Sequence, residues 1–247
     1  MPELFGHTRA HVAARHALIT PHNHVSSVVP GITGATTVIL INPEMGARFA
    51  QLLVTFQAGG QAAFPAGPGQ LFGYLQSGAA TVAIGGQKVK AAKGWYFFAP
   101  AGSACSLTEV AADTRVTLFQ KNYSPLPDVP APAPIIADAA KVQGTPFLGD
   151  PAANLQTLLP DTPAFDMAVN IFAYQPGGHL PYTEIHVMEH GLLMLEGQGV
   201  YRLEDSWYPV EQGDVIWMGS YCPQWFVAMG KQPASYLYYK DVNRAAL

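Results

Sequence analysis

Charge is scarce in this chain of 247 residues: Asp, Glu, Lys and Arg together make up 12%. The 13 basic residues are outnumbered by 17 acidic ones, for a net charge of -4. That balance argues against a nucleic-acid or anionic-membrane footprint, which needs clustered Lys and Arg. Cysteine is rarer still. Cys105 and Cys222 are too few for a disulfide framework or a thiolate zinc site. No apolar run is long enough to span a bilayer, and no charged-then-apolar leader opens the chain. Helical periodicity is nearly missing; its best candidates, Asp138–Val142 and Ala153–Leu159, are both short. The expectation is a cytoplasmic globular protein without nucleic-acid or membrane partners. Apolar residues, at 49%, suffice for a sizeable core.

What the chain does have is glycine (24) and proline (21), spread between short segments rich in Val, Ile, Leu, Tyr and Phe. Thr36–Ile41, Phe49–Phe56, Ala80–Ile84, Arg115–Phe119, Met167–Tyr174, Val200–Leu203 and Tyr236–Tyr239 read as strands. Gly85-Gly86 reads as a tight hairpin turn. Ser124–Pro134 holds five prolines in eleven residues and reads as an extended connector. On either side of it, Gly59, Gly78, Gly94 and Lys121 recur at one constant offset as Gly178, Gly197, Gly213 and Lys240. An internal duplication follows. The expected architecture is all-β: two tandem antiparallel β-barrel (jelly-roll) domains. They comprise residues 1–123 with an N-terminal arm, a proline-rich linker over 124–150, and residues 151–247.

The chemistry-bearing residues gather in the second half. Glu184, His186 and His190 share parity, so an extended strand would point all three the same way. Their neighbours in phase, Met188, Leu192 and Met194, are apolar and mark that face as an interior. A carboxylate and two imidazoles facing an interior are costly without a partner, and a divalent cation is the simplest one.

The glycine-framed stretches Gly178–Gly197 and Gly213–Gln224 resemble the two motifs of the cupin superfamily. The ligand letters are permuted. Glu184 stands at the first His position, His190 at the Glu position and Gln224 at the last His position. Gly219 and Tyr221 replace the Pro and Gly of the second motif. In the first half Pro65, Gly67, Leu71 and Cys105 occupy the ligand positions, so that barrel is expected to hold no metal. Glu-x-His-x3-His…Gln with Tyr236 and Lys240 downstream is similar to the (S)-ureidoglycine aminohydrolase family of bicupins. So are Tyr182–Gly191, Gly197–Tyr201, Tyr239–Arg244 and the opening His22–Gly31. This resemblance implies a Mn²⁺ site built from Glu184, His186, His190 and Gln224. It also implies substrate contacts from Glu184, Gln224, Tyr236 and Lys240, and hydrolytic release of ammonia from a small ureido substrate in allantoin breakdown.

The mixed N/O donor set suits Mn²⁺, with Fe²⁺ or Zn²⁺ as alternatives, and its oxygen donors tilt the choice toward Mn²⁺. Four protein ligands on an octahedral ion leave two adjacent positions, enough for an amino-carboxylate chelate. Lys240 is the candidate for proton transfer and Glu184 the second catalytic group. Tyr236 shares the parity of Lys240 and so faces the same cavity, as does Tyr238. Two His and a carboxylate also fit a metal-dependent oxygenase, and the barrel without ligands fits a non-catalytic binding protein. A sugar-phosphate isomerase would need more basic residues around its pocket. The histidines at 7, 11, 16, 22 and 24 read as surface or interface residues, although Glu3, His7 and His11 recur at helical spacing. Cys222 lacks a sequence-adjacent base and is not expected to be a nucleophile. Residues 1–40 resemble an arm that crosses between subunits of a homo-oligomer, a dimer or larger.

Overall fold

A computed structural model describes residues 6–246. Short β-branched and aromatic segments separated by glycine turns leave the backbone one satisfying option, pairing between strands, and strands dominate throughout. The chain forms two compact units.

One unit holds residues 25–144, 156–169 and those from Asp241 on. Its ten-stranded sheet is organised by one long strand, Ala50–Phe64. The first part of that strand pairs with Thr114–Asn122, and its last residues, Ala62 to Phe64, pair with Cys105–Thr108. The strand thus bends from one side of the unit to the other and wraps the sheet around a core that includes Leu52, Val54, Leu71, Phe97, Cys105 and Leu118. Strands Ala79–Ile84 and Gln87–Ala92 meet with Ile84 opposite Gln87. The turn between them is Gly85-Gly86, with φ of 56° and 83°. Two consecutive positive φ angles make a type I′ turn, whose twist matches the flanking strands.

The other unit holds the residues up to His24, 145–155 and 170–240. An eight-stranded sheet carries His16–Ile19, Val215–Met218, His190–Glu196, Ala234–Asp241 and Met167–Tyr174 side by side, in that order. A three-stranded sheet orders Ser206–Glu211, Gln198–Leu203 and Gln224–Ala228. Between them lies a core of Phe172, Tyr174, Leu192, Met194, Tyr201, Phe226 and Tyr236. The duplication is visible in the backbone: Gly78 and Gly197 have φ of 75° and 72°, and Gly94 and Gly213 have 87° and 92°.

Four expectations need correction. Ala153–Leu159 is not helical: most of it lies in the strand Asp150–Thr157, where tertiary pairing overrides the short 3.6-residue pattern. Within Asp138–Val142 only a single 3₁₀ turn forms, Ala139–Lys141. The N-terminal segment does not group with the first barrel. His16–Ile19 pairs with Val215–Met218 of the same chain, and Arg9 reaches Asp214 at 2.8 Å and Glu211 at 2.6 Å. A buried carboxylate with a bidentate guanidinium is a strong local anchor. The unit boundaries accordingly differ from 1–123 and 151–247. His16 is not a surface residue either. It is buried, with Nδ1 3.1 Å from Glu204 Oε2 and Nε2 2.9 Å from the Tyr208 hydroxyl. Glu3, the first residue of the spacing Glu3-His7-His11, lies outside the described residues.

Candidate metal centre and its aromatic floor

The second unit brings Glu184, His186, His190 and Gln224 together, although not along one strand. Glu184 and Gln224 form an isolated antiparallel bridge with two backbone bonds, Glu184 N–H to Gln224 O at 2.9 Å and Gln224 N–H to Glu184 O at 3.0 Å. Such a pair sets its two side chains adjacent on one face. Residues 185–189 then leave the sheet, so the strand parity expected for His186 does not hold there. What fixes this loop instead is the Tyr221 N–H, which donates to His186 O at 2.7 Å. His190 opens the next strand, paired with Met218 on one side and Lys240 on the other. Residues directly opposite in a ladder share a face, so the Lys240 side chain emerges beside His190.

Tyr221 explains one departure from the cupin pattern. The motif has glycine there, and Tyr221 adopts φ of 60°, the left-handed backbone that glycine favours. Its ring is exposed, as are Tyr182 and Ile185 beside the donor residues.

His186 Nε2 lies 3.2 Å from His190 Nε2, 3.0 Å from Gln224 Nε2 and 3.8 Å from Glu184 Oε2. His186 Nδ1 donates to Met188 O at 3.2 Å, and His190 has its own hydrogen bond to the backbone of Tyr239. With each ring's proton assigned to that backbone bond, the two Nε2 lone pairs face one another. Burial, the neighbouring His186 and Lys240 hold the His190 pKa well below the ordinary imidazole value, which keeps it a neutral ligand. Among the described residues no three His, Cys, Asp or Glu side chains are arranged so that they could hold a metal ion as they stand. The donor chemistry nevertheless fits a divalent cation. Cis ligands on an ion with bonds of about 2.1 Å stand about 3 Å apart, close to the two nitrogen separations here. As the amide is placed, the Gln224 N–H donates to the His186 Nε2 lone pair, and the His190 lone pair is left for a cation or proton. Rotating the Gln224 amide would present its oxygen.

Below the donors lies a floor of tyrosines. Tyr238 has its ring 5.6 Å from that of His190. Tyr236 is one pleat deeper, and its hydroxyl pairs with that of Tyr174 at 2.9 Å. Burial raises the pKa of Tyr174, Tyr201, Tyr236 and Tyr238, so all four are neutral phenols at physiological pH. Of these, Tyr236 and Tyr238 were legible from parity with Lys240. Tyr174 and Tyr201 were missed, as was Asn170, a buried amide inside the apolar-looking strand Met167–Tyr174. Alternation along that strand would have found it, since Asn170, Phe172 and Tyr174 are in phase. Cys222 is buried with its thiol pushed up to about 11 by desolvation, in keeping with an inert core residue.

The first unit lacks this chemistry at the matching positions. Leu71 and Cys105 belong to its hydrophobic core, and burial pushes the Cys105 thiol up to about 12. Lys121, at the constant sequence offset from Lys240, pairs with Gln70 and not with Leu71; it is 3.4 Å from the buried carboxylate of Asp166 and donates to the Asp166 carbonyl at 3.0 Å.

A barrel whose interior presents imidazole, carboxylate and amide donors from two neighbouring segments is a cupin, and residues 170–239 match the family model described as a cupin domain. The chain is 37% identical over 254 residues to a probable (S)-ureidoglycine aminohydrolase of Oryza sativa subsp. japonica, covering 100% of this chain and 79% of that protein. It is 36% identical over 232 residues to the (S)-ureidoglycine aminohydrolase of Escherichia coli K12, covering 92% and 88%. The crystal structure of Ylba from E. coli superposes with a TM-score of 0.87 at 33% identity, over 97% of this chain and 96% of that one. A putative glyoxylate-induced protein from Pseudomonas aeruginosa gives 0.90 at 28%, over 100% and 95%. The chain belongs to the (S)-ureidoglycine aminohydrolase family.

Proposed function

We propose that this protein hydrolyses (S)-ureidoglycine to (S)-ureidoglycolate and ammonia, a step of purine and allantoin catabolism. The observation that carries this reading is the cluster of Glu184, His186, His190 and Gln224 with Lys240 directly opposite His190. Glu184, His186, His190 and Gln224 would hold Mn²⁺, or in its place Fe²⁺ or Zn²⁺. When bound, the ion supplies Lewis acidity and a template for a chelating amino-carboxylate substrate. The reacting carbon is an aminal, so the ureido nitrogen already assists departure of the amine. Lys240 donates a proton to the leaving nitrogen as the C–N bond breaks. Water adds its oxygen to the same carbon and returns one proton, so atoms and charge balance. Glu184, beside His186, takes that proton from the water, and its return to Lys240 restores both groups for the next turnover. Tyr236 holds the floor through Tyr174, which keeps the pocket dry and the substrate fixed.

An oxygenase is the weaker reading, since the curated relatives are named aminohydrolases. Two unpaired cysteines support a reducing compartment, and we place the protein in the cytoplasm. Exposed Val25, Val28 and Ile39 support a homo-oligomer of two or more copies.

The test is metal analysis together with ammonia release from freshly made ureidoglycine, under air and under argon. Release that tracks Mn²⁺ content and ignores oxygen is expected. Glu184→Ala should leave a folded protein without metal or turnover. Undiminished release from that metal-free variant would overturn the proposal.

A further inference from the structure

We infer that Asn170, with Tyr238 as its partner, reads the ureido end of the substrate and so determines specificity; this rests on the function proposed above. Asn170 lies on Met167–Tyr174 in phase with Phe172 and Tyr174, both members of the barrel core. It is 5% exposed, and its Oδ1 has no hydrogen-bond partner. Its carboxamide bonds the Tyr238 side chain. The Phe172 ring stacks against Tyr238 at 6.2 Å, and Tyr238 lies 5.6 Å from His190. The amide is therefore one aromatic ring away from the donor cluster.

A buried acceptor left without a donor is a standing cost to the fold. A ligand with an N–H group removes it. The ureido terminus carries N–H donors on two nitrogens and one carbonyl acceptor. The Asn170 amide N–H donates to the Tyr238 oxygen, which leaves the Tyr238 O–H free to donate to the ureido carbonyl. Asn170 Oδ1 then accepts from a ureido N–H. Both contacts avoid the reacting amine and the carboxylate, so they select the substrate without entering the proton transfers. A site built to hydrogen-bond a polar group rejects analogues lacking that group.

The test uses metal-loaded full-length protein and two unreactive ligands, N-carbamoylglycine and N-acetylglycine. They share the carboxylate and the carbonyl and differ in the terminal amino group. Calorimetry on the wild type should favour the carbamoyl ligand by about tenfold, the scale of one buried hydrogen bond. Asn170→Leu should abolish that preference while leaving N-acetylglycine affinity within about twofold. Asn170→Asp keeps an acceptor oxygen and should retain part of the preference, which guards against a leucine variant that does not fold. Tyr238→Phe should weaken both ligands alike. Equal wild-type binding of the two ligands, or an unchanged preference in Asn170→Leu, overturns the inference. Ammonia release by the wild type, measured in parallel, shows whether the activity itself stands.

Discussion

Lys121 and Lys240 share one sequence offset but not one register position, since His190 pairs with Lys240 whereas Leu71 pairs with Gln120, and replacing each with methionine should have opposite consequences. Lys121 is 11% exposed and faces Asp166, whose carboxylate is fully buried. Asp166 also accepts from the Gln70 amide and from the Ser124 N–H at 2.9 Å. Methionine at 121 removes the cation and strands a buried carboxylate on two neutral donors. Breaking such a pair costs about 3–5 kcal/mol, and the surviving hydrogen bonds favour the lower end. At about 2–4 °C per kcal/mol for a chain of this size, Tm should fall by roughly 6–12 °C. Turnover per folded molecule should persist. Lys240 faces the donor cluster opposite His190, and the described structure gives it no carboxylate partner within salt-bridge distance. Lys240→Met should shift stability by less than about 1 kcal/mol, within the range of a partly exposed substitution. If Lys240 carries the proton, turnover falls by about 10²-fold or more with metal still bound. Differential scanning fluorimetry beside the ammonia assay decides both. The reasoning fails if Lys121→Met is as stable as the wild type, or if Lys240→Met retains near-normal turnover.

Two further outcomes follow from local structure. Tyr221→Gly relieves a left-handed backbone at an aromatic residue and should stabilise the protein by about 1 kcal/mol, seen as a Tm rise of about 2–4 °C; an unchanged or lower Tm refutes it. Burial, outweighing Glu204, depresses the His16 pKa in the folded state, so the neutral ring is favoured there. Its stabilising contribution is complete above the unfolded value near 6.5 and is lost as pH falls toward the folded value. Urea titrations at several pH values should show stability falling below about pH 6.5, with a shallower fall in His16→Gln. Equal slopes in the two proteins would contradict the assignment.

The hairpin at Gly85-Gly86 and the duplication were legible because glycine has a direct backbone meaning at those positions. Short helical patterns misled at Ala153–Leu159, since amphipathicity over seven residues cannot compete with an open sheet edge. Glu184, His186, His190 and Gln224 stand out in the sequence by type and spacing, and the chain does bring these four side chains close together, though not along one continuous strand. The bridge between Glu184 and Gln224, and the loop held by Tyr221, do what a continuous strand was expected to do. Contacts that depend on tertiary pairing leave no local signal. The anchoring of Arg9 on Asp214 and the burial of His16 against Tyr208 join residues about two hundred positions apart.

The contrast between the repeats also bears on why the second one keeps its polar interior. The first unit shows what the fold needs at these positions, and the answer is nothing ionic: Leu71 and Cys105 simply extend a hydrophobic core. Fully buried apolar side chains of that size contribute about 1.5–3 kcal/mol each. At the matching positions the second unit holds His190, whose neutral form burial enforces, and Gln224, which is 3% exposed. Its interior adds Asn170 with an unpaired oxygen. His190 and Gln224 forgo the packing that Leu71 and Cys105 provide in the sister unit. Stability alone would turn the second barrel into a copy of the first. The polar set persists against that gradient, which is the expected physical mark of an interior shaped by ligand chemistry.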